Sequence, residues 1–148
     1  MSKKPRRSKN IESAHEGLVK DTAWEKSLEK FLQKQDLDIL CSIRKSLDNK
    51  KIHGLTEAFN KKSRYFGYWT DTDKDRAYIY VQKKRLRIDL CIKDKDKNEI
   101  RNKYDVKFVN NYQGQDGWLT GWHVPYSKKN RNVVIEYLSK ALKGTRNR

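Results

Sequence analysis

The stretch AYIYVQKKRLRIDLCIK (residues 77–93) constrains the fold more than any other part of the chain. Apolar residues alternate with polar or aromatic ones on both sides of a Lys-Lys pair, which is the pattern of two half-buried β-strands. An even-numbered loop at Lys83 and Lys84 makes the cross-strand pairs of one face apolar: Val81 with Leu86, Ile79 with Ile88 and Ala77 with Leu90. Lys-Lys is a poor tight-turn dipeptide, so the loop has either two or four residues, and both lengths preserve this pairing. The stretch predicts a β-hairpin with one buried face.

Residues 21–62 predict a helical part. Asp21 and Thr22 resemble a helix N-cap, and a second helix restarts at Asp36. Apolar residues recur at helical spacing behind each start: Trp24, Leu28, Phe31 and Leu32 in the first helix, and Leu37, Leu40, Ile43 and Leu47 in the second. A third short helix is predicted from Leu55 to Lys61. Packing against a core explains all three.

Residues 64–126 predict the strands, and residues 130–143 predict a terminal helix with Gly144 as its C-cap. Besides the hairpin, strands are predicted for RYFGYW from Arg64, for Tyr104–Val109, and for WHVPY, residues 122–126, with Pro125 at an edge or an end. KDKDKNE (residues 93–99) predicts a charged turn, and the amides and glycines of residues 110–121 predict a loop. The order of elements predicts an α+β fold, with N-terminal helices, a four- to five-stranded mainly antiparallel sheet and a C-terminal helix packed on the sheet.

Composition and charge bound the organisation and the partner. The chain has 148 residues, with 35% hydrophobic and 11% aromatic residues, which suits one small domain over residues 21–143. Residues 1–20 are basic and poor in apolar side chains and predict a disordered arm, and residues 144–148 predict a frayed tail. The net charge of +16 favours a polyanionic partner, although solubility alone is the simpler explanation.

The same composition predicts a location. No apolar run is long enough for a membrane-spanning helix, so membrane insertion is not expected. The basic N-terminus lacks the apolar stretch of a secretory signal. Cys41 and Cys91 lie in apolar settings, far apart in sequence, which suits reduced thiols. These features predict a cytoplasmic protein.

Three segments together show a resemblance to a known family: the hairpin AYIYVQKKRLRIDLCIK, then GWLTGWHVPYS, then VIEYLSKAL near the C-terminus. They resemble a small β-rich domain of unknown function that occurs alone, sometimes labelled a predicted transport protein, or appended to restriction-type proteins. The resemblance covers residues 64–143. It implies a sheet with a terminal helix against it and a loose association with DNA metabolism, and it transfers no catalytic residues.

The hairpin face opposite the apolar pairs is the first candidate binding surface. Its residues are Tyr78 and Tyr80 on one strand, Arg85 and Arg87 on the other, and Lys83 and Lys84 at the tip. Aromatic rings stack on exposed bases, and guanidinium groups bind phosphates in a bidentate manner. This interpretation requires that Tyr78, Tyr80 and the arginines meet solvent. The alternative is an ordinary cross-strand cation–π pair, or a face covered by a helix.

Two further sets extend this surface. Lys128, Lys129 and Arg131 precede or begin the terminal helix, where free backbone N–H groups also favour an anion. Trp118 and Trp122 lie in a glycine-rich segment and are candidates for stacking, although tryptophans so placed more often close the end of a small core.

The sequence gives little support for catalysis. Asp89, Asp96 and Lys97 lack the spacing of a restriction-type metal site, and Asp71, Asp73 and Asp75 lack the glycine and glutamate of a calcium loop. No catalytic residue, metal site or cofactor is predicted. The first hypothesis is a nucleic-acid-binding module for DNA or RNA with low sequence specificity. The alternatives are a protein-interaction module that binds an acidic partner, and an enzyme that processes nucleic acid; the oligomeric state stays open.

Overall fold

A computed structural model describes residues 13–16, 23–70, 76–90, 94–103, 106–114 and 117–143. The strands are β1 (Ser13–Glu16), β2 (Thr56–Asn60), β3 (Tyr65–Trp69), β4 (Arg76–Val81), β5 (Arg85–Leu90), β6 (Lys107–Gly114) and β7 (Gly117–Pro125). The helices are α1 (Ala23–Glu29), α2 (Lys34–Asn49), α3 (Asp94–Lys103) and α4 (Lys128–Leu142). The predicted α+β class is confirmed.

All seven strands form one antiparallel sheet in the order β1-β2-β3-β4-β5-β7-β6. The sheet is larger than predicted. The terminal helix α4 contacts β4, β5 and α2, and α2 contacts α1, so helices cover one face of the sheet. No helix in the described part of the chain is long and apolar enough to span a membrane.

One row of paired residues crosses the helix-covered face, which we call the core face. It consists of Phe59, Phe66, Ile79, Ile88, Trp122 and Phe108 on six adjacent strands. Their side chains join the apolar residues of the helices, including Leu28, Leu40, Ile43 and Leu138, in one core. Burial of this area is the main stabilising contribution to the fold.

The predicted hairpin is confirmed in its register. Val81 pairs with Leu86, Ile79 with Ile88 and Ala77 with Leu90. The backbone N–H of Gln82 donates to the carbonyl of Arg85 over 3.1 Å, which fixes the loop at the two residues Lys83 and Lys84.

Three predicted elements are wrong in type. Residues 56–60 form β2 instead of a third helix, residues 94–99 begin α3 instead of a turn, and residues 110–121 belong largely to β6 and β7 instead of a loop. The structure gives a reason for the first two. The charge of the buried Glu57 obscures the apolar alternation of β2. Helix α3 is anchored by a single apolar side chain, Ile100, which packs with Tyr137, Leu90 and Trp122 around a small apolar cavity.

Residues 13–16 pair with β2, so that part of the predicted disordered arm is a strand. The predicted strand from Tyr104 begins instead at Lys107. Several predictions fall on residues outside the described ones: the rest of the arm, the caps at Asp21–Thr22 and Gly144, the thiol of Cys91, and the acidic run at 71–75. Cys41 is a free, half-buried thiol, and burial raises its pKa.

A buried ion pair connects the helix layer to the sheet. The guanidinium of Arg44 on α2 donates to both carboxylate oxygens of Glu57 on β2, over 3.0 and 2.6 Å. The hydroxyl of Tyr68 on β3 donates to the same carboxylate. Trp24 and Phe66 flank the guanidinium, with ring centroids 4.0 and 4.7 Å away. Burial disfavours the charge of Arg44, but its hydrogen bonds to Glu57 and the attraction of the Glu57 charge, with smaller contributions from Tyr68 and Cys41, together outweigh that effect and raise the pKa of Arg44.

Candidate nucleic-acid interface

The hairpin face opposite the core, which we call the tyrosine face, is less open than the sequence analysis requires. Tyr78 is 2% exposed, so the prediction that it meets solvent is wrong. Its ring lies 6.2 Å from that of Tyr65 and 6.4 Å from that of Tyr80, in an aromatic cluster formed by three neighbouring side chains of β3 and β4. Tyr78 therefore packs within the fold.

The other members of that face remain partly accessible. Tyr80 and Arg85 are half-buried, and the side chain of Arg87 is 30% exposed. The guanidinium of Arg87 lies 5.8 Å from the ring centroid of Tyr80, as the predicted pairing requires. Its Nε also donates to the buried carboxylate of Asp89 over 3.0 Å, so an acidic residue neutralises part of its charge. The arginine is positioned by the sheet while its side chain still reaches solvent.

The hairpin tip lies at the end of the sheet where it meets the β2–β3 turn and the segment just before α4. Tyr65 pairs with Tyr80, which places the β2–β3 turn beside the tip. The N–H of Val81 donates to the carbonyl of Arg64 in that turn over 2.8 Å. On the other side the hydroxyl of Tyr126, just before α4, donates to the carbonyl of Gln82 over 2.7 Å.

An open groove lies beside this tip, between α1 and the β2–β3 turn. We call it the basic groove, and its lining residues are Lys26, Ser27, Lys30, Phe31, Lys61 and Arg64. Its volume is about 520 Å³. The guanidinium of Arg64 lies 4.0 Å from the ring centroid of Phe31, and the ammonium of Lys83 lies 6.0 Å from it. A partly buried aromatic ring is thus surrounded by cations from three separate elements.

The cations of the basic groove form no ion pair in the part of the chain that the structure describes. The ion pairs there join Arg44 to Glu57, Arg87 to Asp89 and Lys140 to Asp96, and none involves the groove's three lysines or Arg64. Lys61 and Lys83 are exposed. An uncompensated group of this kind attracts an anion, and the attraction weakens as salt screens it.

Lys128 and Lys129 are exposed in the first turn of α4. They lie at the same end of the sheet as the hairpin tip, because Arg85 beside the tip pairs with Pro125 just before α4. The Oγ of Ser127 accepts a hydrogen bond from the backbone N–H of Asn130 over 3.0 Å, so one of the backbone donors at the helix N-terminus is already hydrogen-bonded. Arg131 donates to the Oγ of Ser42 on α2 over 3.1 Å and is half-buried. Two of the three predicted cations are therefore well placed for a ligand at this end, and Arg131 serves helix packing.

Trp122 does not form a stacking site. It is 2% exposed on the core face, where its ring packs edge-on against Phe108 at 5.4 Å. The side chain of Trp118 lies outside the described residues. In the part of the chain that the structure describes, no three His, Cys, Asp or Glu side chains converge to hold a metal ion.

The sequence analysis missed Phe31, Lys26, Lys30, Lys61 and Arg64. It assigned Phe31 to the core stripe of the first helix and treated the Lys-rich segment after Asn60 as the end of a helix. Recognition of residues 56–60 as a strand would have placed NKKSR in a turn beside the Lys83–Lys84 tip. That reassignment would have indicated Lys61 and Arg64, whereas no local signal indicated Phe31, Lys26 or Lys30.

Comparison of the chain with protein-family models, with curated proteins and with solved structures finds no match.

Proposed function

We propose that the protein binds nucleic acid with low sequence specificity through the basic groove, the Lys83–Lys84 tip and the exposed lysines at the start of α4. The observation that carries this proposal is the ring of Phe31. It lies beside the guanidinium of Arg64 in a groove lined mainly by cations, and the ammonium of Lys83 at the tip lies 6.0 Å from it. Lysines and arginines bind phosphates. A base can stack on an aromatic ring, or on a guanidinium that lies over such a ring.

A matched pair of glycine variants tests the location. Arg64 and Lys51 both have φ of 53°, a conformation that costs a non-glycine residue energy, so glycine at either position removes a cation and suits the backbone. We expect Arg64→Gly to weaken binding to DNA or RNA roughly five- to tenfold at 0.1 M salt, because one cation that binds phosphate is removed. Lys51 precedes β2 at the opposite end of the sheet, and Lys51→Gly should leave binding within twofold.

The measurement is a fluorescence-anisotropy titration of the full chain with labelled single-stranded and duplex oligonucleotides at two salt concentrations. Equal losses for Arg64→Gly and Lys51→Gly would indicate diffuse attraction and remove the groove from the proposal. Salt-insensitive binding to one acidic protein, with no nucleic-acid binding at low salt, would instead support the protein-interaction alternative.

Phe31 gives a second prediction, which concerns stacking. Phe31→Ala is expected to weaken single-strand binding by about 1–3 kcal/mol, because an aromatic platform for one base is removed. Phe31→Leu preserves the apolar packing against the core and should lose a similar amount, whereas Phe31→Trp should bind as tightly as the parent. Thermal denaturation of all three variants separates this effect from misfolding. Full affinity in Phe31→Leu would show that the ring does not stack on a base.

A further inference from the structure

A second row of residues crosses the tyrosine face and contains a histidine between two cations. Successive Cα pairings place Tyr80 opposite Arg87, Arg87 opposite His123, and His123 opposite Lys107. These residues lie on β4, β5, β7 and β6, which are consecutive in the sheet. Because neighbouring strands are about 4.8 Å apart, the row extends about 14 Å. Its accessibility increases along the sheet, from half-buried Tyr80 to exposed Lys107.

The groups around His123 oppose its protonation. Burial lowers the pKa of its imidazole, and Arg85, Arg87 and Lys107 lower it further, while the buried carboxylate of Asp89 acts in the opposite direction. These groups come from both strands that pair with β7, namely Arg85, Arg87 and Asp89 on β5 and Lys107 on β6. The free protein therefore favours a neutral imidazole at His123, between the side chains of Arg87 and Lys107.

We propose that a single strand of nucleic acid crosses β5, β7 and β6 along the row Arg87, His123 and Lys107, and that His123 takes up a proton when the phosphates bind. This inference rests on the function proposed above and names the strandedness and the path of the ligand. The Lys83–Lys84 tip connects the two surfaces, since Lys83 reaches Phe31 in the basic groove and Arg85 follows on the tyrosine face.

The aromatic residues select a single strand. The bases of a duplex are stacked inside it and cannot reach a flat ring on a protein surface, whereas an unpaired strand presents its bases to such rings. Tyr80 lies beside Arg87 at 5.8 Å, and Phe31 lies beside Arg64 at 4.0 Å, so both surfaces pair a ring with a guanidinium. Charge complementarity favours the phosphate backbone over a neutral or acidic peptide side chain, because phosphates recur at the spacing of every nucleotide.

The direction of the pH dependence follows from linkage. A phosphate beside His123 offsets the repulsion from Arg87 and Lys107, so the pKa of the imidazole is higher in the complex than in the free protein. The complex then binds more protons than the free protein, and affinity increases as pH falls through the interval between the two pKa values. One proton is exchanged, so the increase is at most tenfold per pH unit.

The experiment measures binding of the full chain to labelled oligo(dT) and oligo(U) from pH 5.5 to 8.5 at constant ionic strength. We expect affinity to rise three- to tenfold between pH 7.5 and 6. His123→Gln should lose this rise, so that its affinity is nearly the same at pH 6 and at pH 7.5. His53→Gln, at an exposed histidine of the α2–β2 connection, is the matched control and should keep the parent's pH profile.

Two further measurements make the outcome decisive. Proton NMR titration should give a higher pKa for His123 in the presence of oligo(dT) than in its absence. Lys107→Gln removes one repelling cation, so it should raise the pKa of His123 in the free protein and reduce the proton uptake. Salt-dependent binding whose affinity does not change with pH would overturn this inference alone, and tighter binding of duplex would overturn the strandedness. Absence of binding to every nucleic acid would reject the proposed function together with it.

Discussion

Replacing Glu57 with alanine is expected to reduce the free energy of unfolding by about 3–5 kcal/mol. The variant leaves the guanidinium of Arg44 buried at 4% exposure between Trp24 and Phe66, with its two hydrogen bonds to Glu57 removed. A buried charge without a counter-charge is among the most costly defects in a protein interior. The substitution also removes the acceptor of the Tyr68 hydroxyl, which adds an unsatisfied donor on β3.

Urea unfolding, followed by circular dichroism, measures the effect through the transition midpoint and slope. The control is the double variant Arg44→Met with Glu57→Leu, which removes both charges and fills the space with apolar atoms. We expect this variant to be much less destabilised than Glu57→Ala, because replacement of a whole buried ion pair is often near neutral. If the two variants lose the same stability, packing at the site outweighs its electrostatics.

Removing four cations from the basic groove and the tip is expected to weaken binding of a single strand by about 10²- to 10³-fold at 0.1 M salt. One quadruple variant carries all four substitutions: Lys26→Ala, Lys30→Ala, Lys61→Ala and Lys83→Ala. Each neutralised phosphate contributes a slope of about 0.7 in log affinity against log salt, so a protein that neutralises four fewer phosphates should have a slope smaller by nearly three. These side chains are exposed lysines, so the fold should be retained.

A second quadruple variant carries the same change in charge elsewhere: Lys45, Lys50, Lys51 and Lys143, each replaced with alanine. All four are exposed, and Lys50 and Lys143 line another groove, between α2 and α4. We expect this protein to lose less than tenfold in affinity and to keep most of the parent slope. If it shows the larger loss, the nucleic acid binds at the α2–α4 groove and not at the basic groove.

The sequence predicted elements wherever the pattern was local and repeated. The apolar alternation of residues 77–92 has only one register that buries every apolar side chain, and that register is the observed one. The stripes of α2 and α4 were equally clear, because each contains several turns of apolar residues. Predictions of this kind need no knowledge of the rest of the chain.

The candidate interface was predicted only in part, because its residues come from separate segments. Lys83 and Lys84 were identified from the hairpin alone. Phe31 and Arg64 were not identified. No local pattern indicates that the ring of Phe31, just after α1, lies 4.0 Å from the guanidinium of Arg64 in the turn after β2. Tyr78 was misjudged for the converse reason: its neighbour Tyr65 belongs to another strand and helps to bury it.

The sequence by itself determined the α+β class, the hairpin register and the excess of positive charge, because these follow from alternation, periodicity and composition. Only the tertiary structure decided that Glu57 belongs to a strand, that Tyr78 is buried, and that cations from α1, the β2–β3 turn and the hairpin tip surround one aromatic ring. The physical reason is that the burial and the neighbours of a side chain depend on residues distant in sequence. Local patterns of alternation and periodicity do not specify which distant residues those are.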